Sequence, residues 1–312
     1  MARKGWSVGR AAEVVGFARS ASRGRDEHLL VHVLVDPACP SDLAVAVRDA
    51  LVPERPSATV EVLPLAGASV PSAAPDAVVA LVGPDSPAAP LASYARSGVP
   101  VALVVEGLLE APSLGVEGAP GALVGVVAAS SADALADKLA SWLVSVCEKR
   151  IALAANFPFC RRAVVDSLIS RCCLENAAVG AVHLIPGSDL PVMTANQLKL
   201  ALDIAAAYGR AIEPERALEL LGVVGAGLGW RALARTLLGA VPGLGTILRA
   251  GIAFGGTALT GNALRLRFEL PDLAERAGEA GSAEEGAARP AVLLDGSAVA
   301  DDAYVTIGGD LS

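Results

Sequence analysis

The chain contains 312 residues, carries a formal net charge of −8, and is 53% hydrophobic but only 19% charged. This length accommodates two domains with separate cores, while the acidic balance argues against a nucleic-acid-binding protein, which needs a cationic face for phosphate. The five cysteines form no CxxC pair and the three histidines are widely spaced, so neither a disulfide scaffold nor a local zinc motif is expected.

The N-terminal half predicts one helix followed by alternating strands and helices. Residues 1–27 are predicted to form an amphipathic helix, because apolar residues recur at helical spacing between charged ones. From 28 to 150, near-continuous runs of Val, Ala and Leu alternate with helical segments, a pattern typical of a parallel sheet buried on both faces. This region therefore predicts a three-layer, doubly wound α/β domain. Its strands are expected at 29–36, 59–67, 76–84, 99–107 and 122–130.

After residue 150 the strand pattern ends, and the sequence predicts an all-α, glycine-rich domain at 151–268. Its helices are expected at 151–180, 195–210, 214–237 and 244–268. The first is interrupted near Pro158, and the last two form a hydrophobic hairpin at 217–266. Residues 269–312 are rich in acids, alanine and glycine, which predicts a partly disordered tail.

The order of elements in residues 28–150 resembles a small GTPase domain of the Era type, which allows each nucleotide-binding position to be inspected. A P-loop needs GxxxxGK[ST] after the first strand, because glycines let backbone amides wrap the phosphates and the lysine neutralises their charge. Here the turn at 36–41 reads Asp-Pro-Ala-Cys-Pro-Ser. It has neither glycine nor lysine, and Pro37 and Pro40 remove amides that would bind the anion.

The two other nucleotide-binding positions are also changed. The DxxG position reads Pro-Leu-Ala-Gly at 64–67, and the guanine-reading NKxD position reads Glu-Gly-Leu-Leu at 106–109. Together the three losses predict a degenerate, P-loop-GTPase-type (Rossmann-like) sheet that binds no nucleotide. The chain is therefore expected to have no catalytic, metal-binding or cofactor-binding residues and not to be an enzyme.

Two carboxylates near the strand ends leave an alternative open. Asp36 and Glu106 follow strands that look adjacent, and a carboxylate pair at this edge would bind a cation or support acid–base chemistry. The favoured interpretation is that both are solvated acids at loop ends.

The C-terminal half carries a series of specific motifs. These are Asn156-Phe157-Pro158 with Arg161, and the segments 176–180, 184–209, 220–235, 240–254 and 255–261. Through them, the region from about residue 152 to 266 resembles an uncharacterised bacterial family, domain of unknown function 697, also called YcjF-like. The resemblance implies a GTPase-associated, often membrane-linked protein with no established biochemical activity, and it transfers no catalytic residue.

Polar side chains near residue 195 form a candidate motif for interaction or for structure. Thr194 or Asn196 is expected to cap the helix that begins near 195, with Asp189 in the preceding turn. Short polar side chains at such positions usually serve folding, so a structural helix–loop junction is the favoured interpretation.

Two further polar residues, Gln197 and Lys199, are expected in the first turn of the same helix. The helix dipole disfavours a lysine there. Asp203 follows four residues after Lys199 and is expected to pair with it.

The hydrophobic hairpin predicts contact with a membrane or a buried core. Residues 220–264 hold no acid and only three charged side chains, Arg231, Arg235 and Arg249, while two helices of about 20 residues would span a bilayer. An arginine at the centre of a spanning helix costs roughly 2.5–3.5 kcal/mol. Autonomous insertion is therefore marginal, and in the membrane-bound alternative the three arginines are expected at the anionic headgroups.

Two functions remain open from the sequence. In the favoured one, the protein is a non-catalytic adaptor or regulator on the cytoplasmic side of the inner membrane, associated through 217–266 and bound to a protein partner. In the alternative, it is a soluble cytoplasmic scaffold whose hairpin is buried core. Neither function involves nucleic acid or nucleotide.

Overall fold

The structure, a computed structural model, describes residues 8–182, 190–212 and 245–287. A 3₁₀ turn at Leu108–Glu110 follows the fourth strand. The other elements are, in chain order, α1 (Val8–Asp26), β1 (Leu29–Val35), α2 (Ser41–Ala50), β2 (Ala58–Pro64), β3 (Ala77–Leu81), α3 (Ala88–Arg96), β4 (Val101–Val105), α4 (Gly118–Gly121), β5 (Val124–Ala128), α5 (Ala132–Val146), α6 (Arg150–Asn156), α7 (Pro158–Val182), α8 (Leu190–Ala207) and α9 (Gly245–Ala287).

The five strands form one parallel sheet in the order β2-β1-β3-β4-β5. The predicted α/β fold with a parallel sheet is therefore confirmed. This is the strand order of the flavodoxin-like, doubly wound sheets. Strands β1 and β3 are neighbours, β2 lies on the other side of β1, and β4 and β5 follow beyond β3. The strand order therefore reverses between β1 and β3. All residues of β3 and β4 are buried, whereas most residues of the edge strand β2 are partly or fully exposed.

Helices cover both faces of the sheet. One face packs against α2 and α5 through alternate strand residues such as Val31, Val79 and Val104. The other face packs against α3 through the intervening residues, including Val78 and Leu103. This division follows from the strand geometry, because successive side chains of a strand point to opposite faces.

The helical region continues the core of the α/β region. One cluster of buried residues extends from the sheet through α5, α6, α7 and α8 to Leu264 of α9. The predicted domain boundary at residue 150 therefore falls inside a continuous core. The predicted interruption near Pro158 is confirmed, since α6 ends at Asn156 and α7 begins with this proline, a position where its missing N–H does no harm.

Two helix boundaries differ from those expected. Helix α8 begins at Leu190 rather than near 195. Helix α9 continues through Pro271 to Ala287, beyond the end at 268 that the sequence predicted. Among the described residues, those up to Phe268 belong to one compact unit and those from Glu269 onward to a second.

Candidate functional site

The ligand crevice of an open α/β sheet lies at the carboxyl ends of the strands where their order reverses, here between β1 and β3. In this structure the two loops that follow these strands touch each other. The amide of Asp36, directly after β1, donates a 3.0 Å hydrogen bond to the carbonyl of Leu81, the last residue of β3, and so extends the pairing of the two strands by one residue. A Cβ added to Gly83 would lie 3.2 Å from the carbonyl oxygen of Ala38. The two loops therefore approach each other closely at Gly83 and Ala38.

The amides of these two loops already have partners within the loops. Asp36 accepts from Ala38 through its carboxylate at 2.8 Å and from Cys39 through its carbonyl at 3.0 Å. Across the crevice, the Gly83 amide donates to the Ser86 hydroxyl at 2.8 Å, and the Ser86 amide donates to the Gly83 carbonyl at 3.2 Å. A phosphate needs several free amides converging on it, and here these donors are committed to the protein itself.

The start of α2 is equally unsuited to an anion. Pro40 occupies the cap position and has no N–H to donate, and Asp42 places a negative charge in the first turn. Burial, together with the neighbouring Asp36, raises the pKa of the Cys39 thiol. The thiol therefore lacks the lowered pKa that marks a reactive cysteine.

The carboxylate pair proposed from the sequence does not form. Strand β3 lies between β1 and β4, so Asp36 and Glu106 do not follow adjacent strands, and the expectation of adjacency was wrong. Asp36 is buried and bonded within its own loop, while Glu106 is exposed. A shared cation or acid–base pair is not supported by this placement.

The cap predicted for α8 is also wrong. Since α8 begins at Leu190, Thr194, Asn196, Gln197 and Lys199 all lie inside the helix rather than at its start. Gln197 is buried, and Lys199 is exposed. None of the four therefore caps the helix: Asn196 contacts a neighbouring helix and Lys199 pairs within α8.

Asn196 belongs to a polar cluster that joins α7, α8 and α9. Its side-chain amide donates to Asn176 Oδ1 at 3.0 Å, and Asn176 in turn donates to Thr257 Oγ1 at 2.9 Å. Asn176 and Thr257 are fully buried. Buried amides and hydroxyls must be satisfied, so this cluster fixes the register of three helices.

Beside this cluster, a polar recess of about 130 Å³ opens between α7 and α8. Lys199 pairs with Asp203 on α8, as expected, and Arg171 pairs with Glu175 on α7 at 2.9 Å. All four residues line the recess. Burial raises the pKa of Asp203, while Lys199 acts in the opposite direction. The recess is well below the roughly 300–1,000 Å³ of small-molecule sites, which identifies it as a structural or interaction feature.

The sequence reasoning missed a polar junction between the helical region and the sheet. Arg161 of α7 is buried and pairs with Glu54, which precedes β2. Asn156 donates to Ser57 Oγ at 3.1 Å, and its carbonyl accepts from the Glu54 amide at 2.9 Å. Both Asn156 and Arg161 belong to the first motif of the C-terminal half. Polar residues within such an apolar segment were the sequence signal from which buried polar contacts could have been predicted.

A second part of this junction surrounds the end of α8. Arg25 donates to the Arg210 carbonyl at 2.8 Å, and Arg55 donates to the Gly209 carbonyl at 3.4 Å. Asp26 binds both arginines. Cations commonly satisfy the last carbonyls of a helix in this way.

Most of the other residues predicted for interaction lie outside the part of the chain that the structure describes. Asp189, Arg231 and Arg235 lie outside the described residues, and Arg249 lies near the start of α9. Among the helices that the structure describes, none is both long and apolar enough to cross a bilayer. Within the same described ranges, no group of three or more His, Cys, Asp or Glu side chains is placed to hold a metal ion.

Comparison with protein-family models, with curated proteins and with solved structures finds no match for this chain. The assignment of a function therefore depends on the chemistry of the site and on the sequence motifs.

Proposed function

We propose that this protein is a non-catalytic adaptor or regulator that acts by binding a protein partner. It combines a pseudo-GTPase α/β region with a YcjF-like helical region. The observation that carries the proposal is the crevice between β1 and β3, where Gly83 contacts Ala38 and where Asp36 and Ser86 occupy the amides that would hold a phosphate. A fold that keeps its sheet but commits the amides of its ligand crevice to internal hydrogen bonds retains its surfaces for association.

Nucleotide binding gives the direct test of this proposal. Calorimetric titration of the full chain with GTP and Mg²⁺ is expected to give no binding heat, with an active Era-type GTPase as the positive control. The double variant Pro37→Gly/Pro40→Gly restores amides but supplies no lysine, so it is expected to remain inactive as well. Micromolar binding of GTP by the wild-type chain would overturn the proposal.

We place this adaptor at the cytoplasmic side of the inner membrane. Support comes from the exposed apolar side chains Phe254, Leu259 and Leu266 along α9, and from the absence of charged residues in the sequence from Ala250 to Leu264. Apolar residues exposed in this number are typical of a contact surface. The arginines of the hairpin suit anionic headgroups.

The second candidate is a soluble cytoplasmic scaffold. It is favoured by Ala253, Thr257 and Leu264 of α9, which are buried, because part of the hairpin then already serves as protein core. Cell fractionation with an alkaline carbonate wash distinguishes the two. Sedimentation with the washed membranes supports the membrane adaptor, and complete recovery in the supernatant supports the scaffold.

A further inference from the structure

Strand β5 forms one edge of the sheet, and part of its backbone faces away from β4. The Val101 amide donates to the Leu123 carbonyl at 2.9 Å, and the Ala129 amide donates to the Val105 carbonyl at 3.0 Å. Because the residues that bond to one neighbour alternate along a strand, the residues between them direct both N–H and C=O outward. These residues are Val124, Val126 and Ala128. We call their outward side the β5 edge.

The β5 edge is largely unoccupied. Within the described ranges, the one hydrogen bond to its outward groups comes from Lys138 Nζ, which donates to the Ala128 carbonyl. A carbonyl oxygen has a second lone pair for another donor. The strand reads Val-Gly-Val-Val-Ala and contains neither a charged residue nor a proline. Sheet edges are usually protected by such residues, so the β5 edge is open to a further strand.

The opposite edge, β2, is protected at both ends. By the same alternation, Ala58 and Pro64 are among its outward residues. The Ala58 amide donates to the Arg55 carbonyl at 3.4 Å, and Pro64 has no N–H. Between them, the exposed Glu61 adds a charge to the strand. The contrast favours β5 over β2 as the site where a strand is added.

Apolar side chains flank the β5 edge on both faces of the sheet. Val126 is 40% exposed on one face. On the other face, the half-buried Trp142 covers Gly125. The 3₁₀ turn after β4 lies beside β5, and its Leu108 and Leu109 are exposed. An added strand would therefore cover apolar surface in addition to bonding the backbone groups.

We propose that the β5 edge pairs with the β5 edge of a second copy of this chain, in the antiparallel direction. A two-fold axis at Val126 places this residue opposite itself and places Val124 opposite the partner's Ala128. Each of these pairs exchanges both hydrogen bonds, so a single register satisfies all three outward residues of both molecules. The contact is isologous and stops at the dimer, which contains one continuous sheet of both copies.

The distribution of charge supports a second copy as the occupant. The side chains of β5 are uncharged, so two copies bring no like charges into direct opposition along the strands. Lys138 lies at the carboxyl end of β5, and Glu117 precedes α4 at the amino end. Antiparallel pairing brings the Lys138 of each molecule toward the partner's Glu117 and keeps the two lysines at opposite ends. This dimer does not depend on the adaptor function or on the nucleotide crevice.

Charges introduced at Val126 of the full chain test the register. In the proposed dimer residue 126 faces its own copy, so Val126→Lys and Val126→Glu each place two like charges opposite one another. Each variant alone is expected to sediment at the mass of one chain, 31.3 kDa. An equimolar mixture places lysine opposite glutamate and is expected to recover the mass of two chains, which the wild type has in the same sedimentation velocity experiment.

The other edge of the sheet provides matched controls. Val62 is an exposed, outward residue of β2, so Val62→Lys and Val62→Glu are expected to dimerise like the wild type. Val126→Pro tests the backbone separately, because it removes one outward N–H and no bond to β4. It is expected to be monomeric, whereas Val62→Pro is expected to dimerise. Far-UV circular dichroism establishes that each variant is folded.

Several results would overturn the proposal. A wild type at the mass of one chain at about 100 µM, where a contact with a Kd near 10 µM is mostly occupied, would leave the β5 edge to a strand of a different protein. A wild-type mass above two chains would contradict a contact that closes at the dimer. Dimerisation of Val126→Pro, or of either charged Val126 variant alone, would contradict the pairing. So would a mixture of the two charged variants that stays monomeric.

Discussion

The guanidinium carbon of Arg161 lies 5.8 Å from the centre of the Tyr208 ring, and the same guanidinium pairs with Glu54. Arg161 also donates to the Ala154 carbonyl at 3.3 Å. These contacts join the start of α7, the segment after α8 and the segment before β2. One buried cation thus connects the helical region to the sheet, and its removal deletes its ion pair with Glu54 and its hydrogen bond to the Ala154 carbonyl.

Arg161→Ala is expected to lower the free energy of unfolding by about 2–3 kcal/mol, because the protein loses the packing of a buried side chain, its ion pair with Glu54 and its hydrogen bond to the Ala154 carbonyl. Arg171→Ala is the matched control. The Arg171 side chain is 74% exposed and pairs with Glu175 on the same helix, so its loss is expected to change stability by less than about 0.5 kcal/mol. Urea denaturation followed by circular dichroism measures both, and equal effects would contradict the assigned role.

The polar recess predicts a pH dependence of stability. Burial raises the pKa of Asp203 above its ordinary value of 3.8, although Lys199 opposes the shift. An acid with a raised pKa holds its proton more tightly in the folded state, so the free energy of unfolding falls as pH rises from 3.8 through the folded-state pKa. Asp203→Asn removes this contribution, and Lys199→Met is expected to enlarge it.

Urea denaturation of the wild type, Asp203→Asn and Lys199→Met between pH 3.8 and neutrality measures this effect. The wild type is expected to lose stability relative to Asp203→Asn as pH rises. A stability difference between these two proteins that stays constant with pH would refute the prediction.

The parallel sheet was predictable because strands such as β3 and β4 are apolar at every residue. Such a pattern arises whenever a strand is buried on both faces, whichever strands are its neighbours. It could not predict the strand order, which places β3 between β1 and β4 and separates Asp36 from Glu106. Pairing of strands is a long-range property, and a local apolar pattern carries no information about which neighbour a strand selects.

The polar motif on α8 shows a second limit of local patterns. A short polar side chain near a helix start serves equally as a cap or as a partner for another helix. Asn196 takes the second role, and its partner Asn176 lies twenty residues earlier on α7. By contrast, the pair Lys199–Asp203 was predictable, because its spacing of four residues is set by the helix itself.

Tyr94 provides a test of the buried polar contacts of the sheet. Its hydroxyl donates to the Ser69 carbonyl at 2.9 Å and lies within hydrogen-bond distance of His32 Nδ1, at 3.2 Å. Tyr94→Phe leaves both groups without this partner and is expected to cost about 1–2 kcal/mol in urea denaturation.

Spectroscopic titration gives an independent measurement on the same residue. Burial, assisted by Glu61, raises the pKa of Tyr94 above its ordinary value of 10.0. The absorbance of tyrosinate in the wild type is therefore expected to include a late step above that pH. Loss of this step in Tyr94→Phe confirms the assignment, and its persistence in the variant contradicts it.

The close approach of β5 and α5 makes the sharpest prediction about packing. A Cβ added to Gly125 would lie 2.0 Å from Nε1 of Trp142, so Gly125→Ala requires the indole or the strand to move and is expected to cost about 2–3 kcal/mol. At Gly16 on α1, where an added Cβ meets nothing within 4 Å, the same substitution is expected to stabilise the helix by about 0.5–1 kcal/mol.

In the background of Trp142→Ala, Gly125→Ala is expected to cost less than it does alone, because the clashing ring is absent. Urea denaturation of the wild type, the two single variants Gly125→Ala and Trp142→Ala, and the double variant measures the coupling, and strictly additive losses would show that the indole does not cover Gly125.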